Sequence, residues 1–158
     1  MNLKLVIRSQ YLAALAMLKE AVEKCPQSVW DDPQDQFKFW SKSYHTLFYA
    51  HLYVQDAEKD FVQWEKHRDP DGDVPFTREE VLEYLSFVER QIEEKVPVSD
   101  LNSADSGFSW YPVNRLEMHF VNIRHIQQHA GELYECLGSR ANLELGWTGY
   151  SRNLKEQE

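Results

Sequence analysis

His125 and His129 stand four residues apart in the run His125-Ile126-Gln127-Gln128-His129. On a helix this spacing puts both side chains on one face, one turn apart, with β-carbons about 6 Å from each other. Two imidazoles so placed can converge on one divalent ion at roughly 2.0–2.1 Å per bond. The same spacing also occurs in helices that bind nothing, where neutral imidazole simply packs. A third histidine sharpens the expectation. His45 sits in a separate helical stretch among Tyr44, Leu47 and Phe48, and facing helices of a bundle are a usual source of metal ligands. The other histidines fit less well. His51 lies six residues from His45, and His119 six from His125, which turns each about 240° away around its helix. His67 falls in the charged run Trp64-Glu65-Lys66-His67-Arg68 and is expected to be exposed.

Three neutral ligands leave a divalent ion its full charge and an open position, where water becomes more acidic and a thiol ionises. Two reaction classes follow: attack of a thiolate on an electrophile, and hydrolysis by activated water. Glu132, Asn122 and Tyr49 lie within about a helical turn of a ligand, the distance from which side chains orient a coordinating imidazole; ordinary packing is the plainer reading of each. No catalytic base and no thiol-binding motif is identified. A faint EF-hand pattern, Asp69, Asp71 and Asp73 with Glu80 at the twelfth position, has Val74 where the sharp turn needs glycine, and Pro75 after it.

Four helical stretches position these residues. The first spans about Asn2 to Lys24, with Tyr11, Leu15, Leu18, Val22 and Cys25 on one stripe and Pro26 as its stop. A polar, turn-like link, 27–36, leads to a second helix over about 35–56, so rich in aromatics that it should be the most buried. The link 57–76 contains a strong turn signal at Asp69-Pro70-Asp71-Gly72-Asp73, and its Phe61 and Trp64 suggest that it packs over the helices. Thr77 and Glu80 form a capping box ahead of a third helix with Val81, Leu85, Val88 and Ile92 as its core stripe and Pro97 as its stop. The fourth starts near Asn114, with Glu117 as a second box, and ends at Gly138. Its apolar contacts are expected from Leu116, Phe120, Ile123, Ala130, Tyr134 and Leu137. The expected fold is all-α: an antiparallel four-helix bundle with long connecting loops, one domain over 1–158, with about 139–158 a tail whose first half docks and whose end frays.

Phe39-Trp40-Ser41-Lys42-Ser43-Tyr44-His45-Thr46-Leu47-Phe48-Tyr49 on the second helix, together with Asn122-Ile123-Arg124-His125-Ile126-Gln127-Gln128-His129-Ala130-Gly131-Glu132-Leu133 on the fourth, resembles the DinB-like metalloprotein superfamily, which includes bacillithiol and mycothiol S-transferases. The helix order agrees along nearly the whole chain, while the specific likeness lies in these two segments. The resemblance implies His45, His125 and His129 as ligands of nickel or zinc, with iron or manganese as alternatives. It also implies a homodimer and, for some relatives, transfer of a low-molecular-weight thiol to a small-molecule substrate. Many relatives carry glutamine where this chain has Glu132. A metal-dependent hydrolase and a non-catalytic metal-binding stress protein remain open beside the transferase.

Composition narrows the partners. The net charge of -9 and the absence of any Lys/Arg block argue against nucleic acid. No apolar run is long enough for a membrane span, and charges interrupt the apolar residues of Met1 to Arg8, which argues against a signal peptide. The two cysteines, Cys25 and Cys136, fall on apolar stripes without a Cys-x-x-Cys partner and are expected as buried free thiols, as suits a reducing cytoplasm.

Overall fold

Asn2 opens the first helix by accepting a hydrogen bond from the Leu5 amide, and the helix, α1, runs Leu3–Lys24. In the computed structural model, which describes residues 2–69 and 74–151, every residue of its expected stripe is buried. Pro26 does stop α1, but it also starts a short helix that the turn-like link did not suggest, α2 (Gln27–Trp30). Proline at a helix entrance loses no hydrogen bond, and α2 buries Val29 and Trp30, whose indole donates to the Phe76 carbonyl at 3.0 Å.

α3 (Phe39–Val54) begins four residues later than expected, so Phe37 lies outside it and is 71% exposed. Within α3, eleven of sixteen residues are buried, in line with its aromatic content. The capping box forms in full before α4 (Arg78–Lys95): the Thr77 amide donates to Glu80 Oε2 at 2.8 Å, and the Glu80 amide donates to Thr77 Oγ1 at 3.2 Å. Before α5 (Arg115–Ala141) only the forward half forms, Glu117 N to Asn114 Oδ1 at 2.8 Å.

Two expectations for α5 are corrected. It does not end at Gly138 but continues to Ala141, and Asn142 takes the left-handed conformation (φ 53°), which asparagine tolerates better than most residues. Phe120 is not a core contact; it is 48% exposed. The buried stripe instead passes through Arg115, Met118, His119, Asn122, Ile126, Ala130, Leu133 and Leu137. Its polar members reach partners across the core, although Asn122 Oδ1 finds no hydrogen-bond partner among the described residues. Arg115 donates to the carbonyls of Val54, Gln55 and Ser106, closing the C-terminal end of α3.

The described residues contain five α-helices, one 3-10 turn (Glu58–Asp60) and no strand. α1 and α3 each pack against both α4 and α5. Paired contacts set the helix directions. Ala50 meets Asn122 while Val54 meets Arg115, so α3 and α5 run oppositely. Arg8 meets Glu93 while Cys25 meets Arg78, so α1 and α4 do too. Tyr11 meets His119 while Glu20 meets Tyr134, so α1 and α5 run the same way. Tyr44 meets Tyr84 while Gln55 meets Gln91, and α3 and α4 are likewise parallel, so the expected antiparallel arrangement holds for only two of these four pairs.

Parallel neighbours need a connection that travels back along their length. That is the work of the link between α3 and α4, and it packs as it goes. Trp64 stacks on Tyr84 (4.6 Å between centroids) and Phe76 on Tyr44 (4.0 Å). The turn expected over 70–73 and the tail beyond Ser151 lie outside the described residues. The start of the tail follows α1: Gln10 Nε2 donates to the Gly149 carbonyl at 3.2 Å and the Ser151 amide to Ser9 Oγ at 3.1 Å. Of the cysteines, Cys25 is buried, which pushes its thiol up to about 12, whereas Cys136 is only half-buried. No helix among the described residues is long and apolar enough to cross a membrane.

Candidate metal centre

α3 turns Tyr44 and Leu47 into the core, and α5 does the same with Ile126 and Ala130. The flanking positions, His45 on α3 and His125 and His129 on α5, then meet where the two helices face each other. Their ligand atoms all lie within 4.8 Å of one another. Nε2 of His125 is 3.4 Å from Nε2 of His45, about the edge of a tetrahedron with metal–nitrogen bonds near 2.1 Å. Ring centroids are 4.6–5.4 Å apart for the three pairs. The cluster does not lie in the interior, as a core site would. His45 is exposed and the other two are half-buried, because the neighbouring residues hold the core positions.

The electrostatics favour neutral imidazoles at His125 and His45. Burial, followed by the proximity of His129 and His45, holds His125 down at about 4. Burial, then His129, lowers His45 as well. Glu132 supplies the orienting contact. Its Oε2 meets His129 Nδ1 at 2.9 Å and Lys42 Nζ at 2.9 Å, and its Oε1 accepts from Gln128 Nε2 at 3.2 Å. Partial burial works to raise this carboxyl, but hydrogen bonds from Lys42, His129 and Gln128 outweigh it and hold it at about 2. An ionised carboxylate can only accept, so His129 carries its proton on Nδ1 and offers the Nε2 lone pair.

The other two suggested orienting residues make no hydrogen bond to the cluster. Tyr49 packs against His125 (5.6 Å between centroids) and His45 (4.8 Å). Asn122 donates to the Ala50 carbonyl instead, one turn deeper in the core. His125 is thus held by ring packing, and its buried Nδ1 has no hydrogen-bond partner. The donor set fits a divalent ion in number, charge and convergence, with one of three ligands oriented by a carboxylate.

Comparison of the chain with family models, curated proteins and solved structures returns no match.

The cluster borders a cleft of about 640 Å³. Phe37, Tyr44, Phe48 and Tyr49 give it an aromatic wall, and Lys42 and His67 add polar groups. His67, expected in solvent, is half-buried here, its Nδ1 2.5 Å from the Tyr44 hydroxyl. The α3–α4 link brings it back over α3, a placement that no local pattern signals. Lys42 was legible in principle, since it precedes His45 by three residues and shares its helix face.

The remaining histidines are core residues. His119 bonds Tyr11 and Ser99, both at 3.1 Å, and His51 bonds Tyr84 at 3.1 Å. Glu80, the twelfth position of the EF-hand-like run, is committed to its capping box and to Arg68. Asp71 and Asp73 of that run lie outside the described residues.

Proposed function

We propose that this protein is a divalent-metal-dependent enzyme of the DinB-like kind, a four-helix bundle that holds nickel or zinc on His45, His125 and His129 and transfers a low-molecular-weight thiol to a small electrophile. The observation that carries the reading is the convergence of three ligand nitrogens from two helices within 4.8 Å, beside an aromatic-walled cleft. A bound ion would supply Lewis acidity at an open position, where a thiol ionises at neutral pH. The chain's own residues do the rest. Glu132 keeps the His129 proton on Nδ1, Lys42 holds Glu132 in place, and the aromatic wall admits an apolar body. Iron or manganese would suit the same nitrogens less well than nickel or zinc. The homodimer and the cytoplasmic setting belong to the same proposal.

The exposure of His45 gives a second reading some support, since water reaches the cluster as easily as a thiol does. Under that reading the protein is a hydrolase. Protein purified without an affinity tag should contain about one divalent ion per chain by elemental analysis, lost in His45→Ala. The loaded protein should accelerate conjugation of a small thiol to monochlorobimane. Conjugation no faster than that of His125→Ala rejects the transferase, and turnover on esters alone selects the hydrolase. One bound ion without turnover on either panel leaves a metal-binding stress protein.

A further inference from the structure

The cleft has a second polar end. Tyr44 is only 1% exposed, and among the described residues its hydroxyl has a single hydrogen-bond partner, Nδ1 of His67. Buried hydroxyl groups find an acceptor, so the phenol donates to that nitrogen. Neutral His67 then carries its proton on Nε2. Nε2 meets no protein acceptor among the described residues, and His67 lines the cleft.

The ring is firmly placed. The His67 amide donates to the Trp64 carbonyl at 2.8 Å, and the imidazole packs on Phe48 (5.5 Å between centroids) and Tyr44 (5.9 Å). Tyr44 is backed in turn by Phe76. At the other end, beside the histidine cluster, Glu132 and Lys42 are paired with each other at 2.9 Å, so the Lys42 charge is already engaged.

We propose that the cleft binds a small planar aromatic molecule whose oxygen acceptor, a carboxylate or carbonyl, takes the His67 Nε2 proton in a hydrogen bond, with its ring along Phe48 and Tyr49 and its other end toward the three-histidine cluster. This assigns His67 as the specificity residue of the cleft. The orientation rests on the reading of the cluster as the reactive centre, but the binding does not, so the test is run without metal.

Benzoate, cyclohexanecarboxylate and benzylamine are titrated into the EDTA-treated full chain at pH 8, followed by NMR of the histidine rings. Benzoate should bind saturably, shift the His67 ring, and bind more tightly than the other two. His67→Phe should weaken benzoate about ten- to hundredfold, the worth of one hydrogen bond to a charged acceptor, and leave benzylamine unchanged. His67→Gln, which keeps an N–H donor, should retain most of the affinity. Phe48→Ala should weaken benzoate and benzylamine alike. The proposal is overturned by absence of saturable benzoate binding, by equal affinity in wild type and His67→Phe, or by cyclohexanecarboxylate binding as well as benzoate. Metal content, measured separately on the untagged protein, decides the fate of the metal reading without touching this one.

Discussion

Acidification from pH 8 to pH 5 should destabilise the metal-free protein, with two buried histidines away from the candidate centre as major contributors. His51 is 2% exposed, ringed by Phe61, Tyr84 and Phe87, and burial followed by Lys95 holds it down at about 4. His119 is 1% exposed, and burial followed by Arg115 does the same. An unfolded imidazole titrates near 6.5. As the pH falls through that value the unfolded chain takes up protons that the folded rings refuse until about 4, so the unfolded state gains. The contribution is fully present above roughly pH 6.5 and drains away between there and pH 4. At pH 5 the loss is about 2 kcal/mol for each residue, or about 4 kcal/mol together, against a total domain stability of roughly 5–15 kcal/mol. Urea unfolding in EDTA, followed by circular dichroism at both pH values, measures it. His125 is also held at about 4 and adds to the wild-type loss, so the reading is taken by difference. The loss in His51→Gln should be about 2 kcal/mol smaller than in wild type. An equal loss in the two proteins would refute the argument.

Two further outcomes follow from particular contacts. Glu132→Ala removes the carboxylate from His129 Nδ1 and should weaken nickel or zinc binding by about 10–100-fold, whereas Glu132→Gln, which keeps an acceptor for that proton, should weaken it less; chelator competition reads both, and unchanged affinity in the alanine variant would show that Glu132 orients nothing. Gly107 sits at φ 85°, and a β-carbon there would lie 2.0 Å from the Asp56 carbonyl oxygen. Gly107→Ala should cost at least about 1–3 kcal/mol, seen as a lowered Tm, and an unchanged Tm would show that the loop gives way freely.

The sequence by itself determined the all-helical class, the start of α4 and the residues of the candidate cluster. These are local matters. A 3.6-residue period, a Thr–Glu box and a four-residue histidine spacing each act over one or two turns and need no partner to be recognised. The end of α5 and the start of α3 were read wrongly, because either boundary turns on small local free energies: a glycine can be carried inside a helix at modest cost, and an aromatic residue at a helix entrance can be left in solvent. Only the tertiary structure decided the direction of the helices, the polar stripe of α5 and the second end of the cleft. Arg115, His119 and Asn122 can be buried because distant carbonyls and hydroxyls reach them, and spacing along one helix says nothing of such partners. His67 looks like a solvated loop residue until the crossover, needed because α3 and α4 run parallel, lays it against Tyr44.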